Sequence, residues 1–222
     1  MEIKTTNFLD IEKTIAKELL VNVNTPWNAL PKISQFILEL GKNLSLDKFD
    51  KIAEDIWVAK SAKISETACL SGPLIVDEEA EIRHCAYIRG CVIVGKRTVV
   101  GNSTEIKNSI LFDNVQVPHY NYIGDSILGY KAHMGAGSIT SNVKADKSNI
   151  KITTNEKKID TNLRKFGAIL GDYVEIGCNT VLNPGTIIGK NSNIYPLCSV
   201  RGVVPENSIY KSSTLIVAKT LK

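Results

Sequence analysis

Residues 58–112, VAKSAKISETACLSGPLIVDEEAEIRHCAYIRGCVIVGKRTVVGNSTEIKNSILF, carry an apolar residue at every sixth position: Val58, Ile64, Leu70, Val76, Ile82, Ile88, Val94, Val100, Ile106 and Phe112. With 43% of the chain hydrophobic, chance would fill those ten slots about 2 times in 10,000. Six more follow, from Leu170 through Ile176, Leu182, Ile188 and Ile194 to Val200. An amphipathic α-helix would wrap such a series around its circumference. The period instead predicts a mainly β chain wound as a parallel β-helix, in which each short strand turns one apolar residue to the axis and coils bury each other's faces. The slot four residues later is mostly small or β-branched (Ala80, Ala86, Thr98, Thr104, Thr180, Ser192), as tight corners require.

The two runs resemble the left-handed β-helix of hexapeptide acyltransferases. That resemblance implies three hexads per turn and a trimeric assembly. Outside the runs, residues 1–55 lack the period and read as a small N-terminal helical cap. Asn24-Thr25-Pro26-Trp27 marks a helix start, Leu30, Ile33, Phe36, Ile37 and Leu40 give it one apolar face, and Gly41 ends it. A weaker helix is expected over 9–20 and a third after Ser45-Leu46-Asp47. The cap is expected to cover the open first coil, where a solenoid exposes unpaired edges, or alternatively to dock another protein. The β-helix would then run over 56–210, with a protruding inserted loop at 143–166 and a C-terminal tail at 211–222. A second interruption, Phe112, Val117, Ile123, Leu128, Met134, contains two five-residue steps. Interruptions are where repeat proteins place function.

Composition bounds the partners. The 222 residues include 23% charged and 6% aromatic side chains with net charge +4, and the lysines are scattered rather than gathered in a nucleic-acid stripe. No signal-like apolar region opens the chain and no run of eighteen apolar residues occurs, so neither membrane insertion nor export is expected; a cytoplasmic location is. The five cysteines, without a Cys-x-x-Cys, fit reduced thiols.

With three hexads per turn, Arg89 and Lys107 stack on one face in adjacent coils about 4.8 Å apart. They either splay into water or share an anion, for which a phosphate is the natural partner. His119 lies in the phase break, where a side chain can leave the in/out alternation, and imidazole takes up a proton near neutrality. A lone histidine is also compatible with a structural role.

The stretch VGNSTEIKNSILFDNVQVPHYNYIGDSILGYKAHMGAGSITSNV (100–143) closely resembles the acetyltransferase half of bifunctional N-acetylglucosamine-1-phosphate uridyltransferase/glucosamine-1-phosphate acetyltransferases. The likeness extends over about 56–205, and its G-N-x-x-E-x-K, H-x-x-Y-x-G-D and G-A-G-x-I-T-x-N strings go beyond generic hexads. It implies acetyl-CoA-dependent N-acetylation of an amino-sugar phosphate, with no metal, within nucleotide-sugar metabolism. His119 is then the general base, oriented or polarised by Glu105. Arg89 and Lys107 match phosphate-binding positions, Tyr122 and Asn142 match sugar- and acetyl-positioning residues, and Lys165 reaches a neighbouring subunit's site. Gly135-Ala136-Gly137 brings backbone amides to the thioester, where donors could stabilise an oxyanion. Cys178 and Pro196 line a coenzyme A groove whose phosphates could meet Lys211 or Lys219.

Two departures qualify this. Nothing before residue 56 reads as a nucleotide-binding domain and no glycine-rich phosphate loop is present, so nucleotidyl transfer is not expected. His133 replaces an asparagine that touches the sugar in the relatives, which leaves the acceptor open. A zinc carbonic anhydrase is the enzyme rival, but His84, His119 and His133 are spaced 35 and 14 apart without a His-x-x-x-x-His pair. The remaining alternative is a non-enzymatic sugar-phosphate-binding scaffold or regulatory partner of a separate nucleotidyltransferase. It would need Arg89 and Lys107 but not His119, Glu105 and Asn142 together.

Overall fold

The computed structural model describes residues 3–154 and 158–220. It is a left-handed β-solenoid of about eight turns whose strands stack in register into three faces. The first face runs from Ile56–Ala59 through Leu74–Val76 and Val92–Val94 to Thr186–Ile188 and Val203–Val204. The second includes Glu81–Ile82, Val99–Asn102, Gln116–His119, His133–Met134 and Glu175–Ile176. The third includes Cys69–Leu70, Tyr87–Ile88, Ile139–Thr140 and Val181–Leu182.

The repeat anchors fill the axis, and from Val76 to Ile106 they are fully buried or nearly so. Corner threonines add cross-coil bonds: the hydroxyls of Thr98, Thr104 and Thr180 donate to the carbonyls of Phe112, Val117 and Tyr195 in the next coil. One anchor is corrected. Leu111, not Phe112, aligns with Val94, because the residue is lost between Ile106 and Leu111. There Glu105–Leu111 continues as one strand across the corner between the third and first faces, as does Tyr122–Leu128 one coil later.

The N-terminal helices lie along the first face rather than over the open first coil. Helix Ile33–Lys42 packs on the strands of Leu74–Val76, Val92–Val94 and Glu105–Leu111, and the 3₁₀ segment Pro26–Lys32 packs on Tyr122–Leu128. The reason is in the strands. Ile75, Ile93, Ile110, Ile127, Ile169 and Ile187 alternate with the inward residues, so they point outward, yet each is 0% exposed. An apolar outer face demands a cover.

The expected helix from Pro26 is divided because Pro31 lacks an N–H, leaving α-helical geometry to start at Ile33. Gly41 is inside that helix, against the Trp57 ring, where a Cβ would come within 2.5 Å. The 9–20 region holds two short pieces, Ile11–Lys13 and Lys17–Val21. The segment after Asp47 is no helix. It forms strand Phe49–Ala53, which pairs antiparallel with Ile56–Ala59 and covers the first coil's edge. At the other end the expected tail contributes strand Leu215–Ala218, antiparallel to Ser208–Ser212.

The insertion at 143–166 also folds back rather than simply protruding. Strands Lys151–Thr153 and Lys158–Asp160 pair, residues 155–157 lying outside the described residues. Ile150, Ile152 and Phe166 are buried, and the Phe166 ring lies 6.2 Å from that of Trp27. Among the described residues no helix is long and apolar enough to cross a membrane.

Candidate active site

The two phase-break strands, Glu105–Leu111 and Tyr122–Leu128, place Glu105 opposite Tyr122 and Lys107 opposite Gly124 on the third face. One coil earlier Tyr87 pairs with Glu105, which brings Arg89 beside Lys107 as the spacing implied. The two cations do not share one partner, however. Arg89 Nη1 bonds Glu105 Oε1 at 2.7 Å, and Lys107 Nζ lies 3.3 Å from Asp125 Oδ2.

Asp125 is the residue that the sequence reading left without a role. It closes the H-x-x-Y-x-G-D string, is 4% exposed, and has φ of 48° at the corner between the third and first faces. Besides Lys107 it accepts from Asn108 Nδ2 at 2.8 Å and, through a short bond, from Asn142 Nδ2. The Asn142 amide and the Tyr122 hydroxyl both lie over Gly124. Burial, with the charges of Asp125 and Glu105, pushes the Tyr122 hydroxyl up, so it remains a proton donor at neutral pH. Gly124 leaves room for both groups: a Cβ there would sit 2.6 Å from the Tyr122 oxygen. Phe166 N–H bonds the Asn142 carbonyl at 3.0 Å and Gly167 N–H bonds that of Asp125 at 2.8 Å, which sets the exposed Lys165 beside the same group.

His119 ends its second-face strand, at the corner leading to Tyr122. Pro118 seats against Gly101, where a Cβ would meet the Pro118 carbonyl oxygen at 1.6 Å, so only glycine fits in that string. The His119 side chain is exposed, and no hydrogen bond to it is made by the described residues. Glu105 is engaged by Arg89 instead of orienting the imidazole.

Successive corner bonds stack His119, Ala136, Cys178 and Pro196 in one column: Gly137 N–H to His119 O, Asn179 N–H to Ala136 O, and Leu197 N–H to Cys178 O. Cys178 and Pro196 are exposed along it. Two of the three amides expected to face a thioester are already engaged, Gly135 N–H by Ile176 O at 2.7 Å and Gly137 N–H by His119 O at 3.0 Å. Lys211 lies over the Tyr195 ring near the column's end, whereas Lys219 donates to the Asn191 carbonyl at a different corner.

His133 stands apart from the cluster. It opens its second-face strand in register with Gln116 and Glu175, and its Nδ1 lies 2.7 Å from Glu175 Oε2. It precedes Ala136, the residue aligned with His119, by three positions, roughly 10 Å along a strand. The three histidines do not converge: His84 contacts Thr67 and Cys85, and His133 contacts Glu175.

Residues 70–192 match the family model described as the GMPPB C-terminal domain. The chain is 33% identical over 206 residues to the bifunctional protein GlmU of Methanococcus aeolicus, covering 84% of this chain and 50% of that protein. It is 32% identical over 217 residues to its counterpart in Methanocaldococcus jannaschii, covering 89% and 49%. The chain thus spans about half the length of these curated relatives. Among solved structures, PerB from Caulobacter crescentus, in complex with CoA and GDP-perosamine, aligns over 84% of this chain and 66% of its own at 15% identity and a TM-score of 0.43.

Proposed function

We propose that this chain, which belongs to the GMPPB C-terminal domain family, is an acetyl-CoA-dependent N-acetyltransferase acting on an amino-sugar phosphate. The observation that carries this reading is the gathering on one face of the Arg89–Glu105 pair and the Lys107–Asp125–Asn142 group, with Tyr122 paired beside Glu105 and the exposed imidazole of His119 at the adjoining corner. Arg89 and Lys107 are held extended by carboxylates and present their remaining N–H groups to an incoming phosphate. Tyr122 and Asn142 position the sugar and the acetyl group.

The neutral amine attacks the thioester carbonyl carbon. His119 removes the ammonium proton from the tetrahedral adduct, the carbon–sulfur bond breaks, and the proton reaches the departing coenzyme A thiolate. The pantetheine arm runs along the corner column of Ala136 and the exposed Cys178 and Pro196. Lys211 lies near its far end, where the coenzyme's phosphates would be met.

The active assembly in this reading is a homotrimer, in which His133 on the second face of one copy and Lys107 on the third face of another meet one sugar. Sedimentation should then report roughly three times 24.3 kDa. The decisive assay incubates the protein with acetyl-CoA and a panel of amino-sugar phosphates and follows free thiol. Acceptor-dependent thiol release is expected. Calorimetric binding of sugar phosphates without thiol release from any acceptor would favour the scaffold reading instead.

A further inference from the structure

Outside this cluster, a second connected group sits at the same corner, two coils before His119. Cys85 Sγ lies 3.3 Å from His84 Nε2, and His84 Nδ1 lies 2.7 Å from Thr67 Oγ1. Thr67 Oγ1 also accepts the Cys85 N–H at 3.2 Å and lies 2.9 Å from Ser65 Oγ. A hydroxyl has one proton to donate and two lone pairs. Thr67 accepts the Cys85 N–H, and its proton and second lone pair serve Ser65 and His84 in either order; the proposal takes the order in which Thr67 accepts from His84 Nδ1–H and donates to Ser65. Nε2 is then the unprotonated nitrogen, and it faces the thiol.

A nucleophile, a base within reach and a third group orienting the base form the arrangement that activates a weak nucleophile. We propose that the Thr67–His84–Cys85 relay makes Cys85 an activated thiol and a site of modification by disulfides. The inference does not depend on the transferase reading. In the reaction the thiol proton passes to His84 Nε2 and the Cys85 thiolate attacks one sulfur of the disulfide. The reagent's S–S bond breaks as the mixed disulfide forms. The expelled thiolate takes the proton from His84, so Cys85 is oxidised and the reagent reduced.

The surroundings leave this pair in control. Glu81 and Arg83, on the strand leading to His84, pair with each other at 3.0 Å. The preceding coil presents Ser65, the exposed Glu66 and Thr67, and the following coil the uncharged Asn102 and Ser103. Cys69 and Cys178 are equally exposed, and neither contacts an imidazole among the described residues. Cys198 is half-buried with its Sγ near the Lys211 carbonyl, and burial pushes its thiol up.

The test reacts the intact protein with 5,5′-dithiobis(2-nitrobenzoate) from pH 5 to 9 and maps modified cysteines by mass spectrometry. Cys85 should outpace Cys69 and Cys178 several-fold at pH 6, with the lead narrowing towards pH 9. His84→Gln should remove the lead and Thr67→Val reduce it. A Cys85 profile that tracks Cys69 and Cys178 across the range would overturn the proposal, and it is read on wild-type protein even if a variant fails to fold.

Discussion

Lys107 Nζ lies 3.3 Å from Asp125 Oδ2, with the two side chains 19% and 5% exposed. The same carboxylate accepts from Asn108 and Asn142, so one buried group ties the Lys107–Asn108 strand to the segment after Ile139–Thr140. Removing one member of a buried pair costs about 3–5 kcal/mol, and the solvent contact kept by Lys107 lowers the expectation for Asp125→Ala to about 2 kcal/mol. Lys107→Ala should cost less, and the double variant should be non-additive because both changes remove one contact. Urea unfolding measures this. In the transferase assay both single variants should raise KM for the phosphorylated acceptor more than for acetyl-CoA, and an equal rise for the dephosphorylated sugar would mark structural damage.

His119→Ala is expected to lower acetyl transfer by about two to four orders of magnitude, the usual contribution of a general base. The side chain is exposed and takes no hydrogen bond from the described residues, so stability and acetyl-CoA binding should be unchanged. Near-normal turnover of the best acceptor by this variant would remove His119 from the mechanism.

Ile110 and Ile127 point away from the solenoid axis yet are fully buried beneath the N-terminal segment. Ile110→Ala should therefore cost about 2–5 kcal/mol, as much as the same change at the inward Ile106. A cost under about 1 kcal/mol in denaturant unfolding would show that the cover is loosely held.

The six-residue period made the inward residues legible because every coil repeats the same burial. It said nothing about Ile75, Ile93 or Ile110. Their signal was the run of apolar triplets Leu74-Ile75-Val76 and Val92-Ile93-Val94, and the apolar pair Ile110-Leu111 at the matching place one coil later, apolar on both sides of a strand and therefore covered on both. The pairing of Arg89 with Lys107 was likewise readable from spacing. Their separate engagement by Glu105 and Asp125 was not, since it depends on a continuous strand that crosses a corner.

Asp77 supplies a pH-dependent prediction. It is 1% exposed, Oδ1 accepts the Glu78 N–H at 2.7 Å, and Oδ2 has no partner among the described residues. Burial pushes its carboxyl up to about 6. Because the folded state holds the proton more tightly than the unfolded chain, the ionised carboxylate costs stability above pH 6. That cost fades as pH falls from about 6 towards the ordinary value near 4. Asp77→Asn should therefore stabilise the protein by about 2 kcal/mol at pH 7.5 and by little at pH 4. Thermal unfolding of both proteins across this range decides it, and a constant difference would point to packing instead.

The last prediction concerns His133, where the imidazole is clamped to Glu175 on the second face while Lys107 lies on the third. In the proposed trimer a neighbour's second face meets the sugar held by Lys107, so His133 influences the acceptor only through assembly. Asparagine offers a donor and an acceptor from one amide, whereas an imidazole engaged at Nδ1 offers only Nε2. A mismatched polar contact costs about 1–3 kcal/mol. His133→Asn should accordingly raise kcat/KM for glucosamine-1-phosphate relative to the best wild-type acceptor, without changing the melting temperature by more than a few degrees. Glu175→Gln, which weakens the clamp while keeping the imidazole, should shift the preference less. If the order of acceptors is identical in all three proteins, His133 does not meet the sugar, and the faces that pair in the assembly must be others.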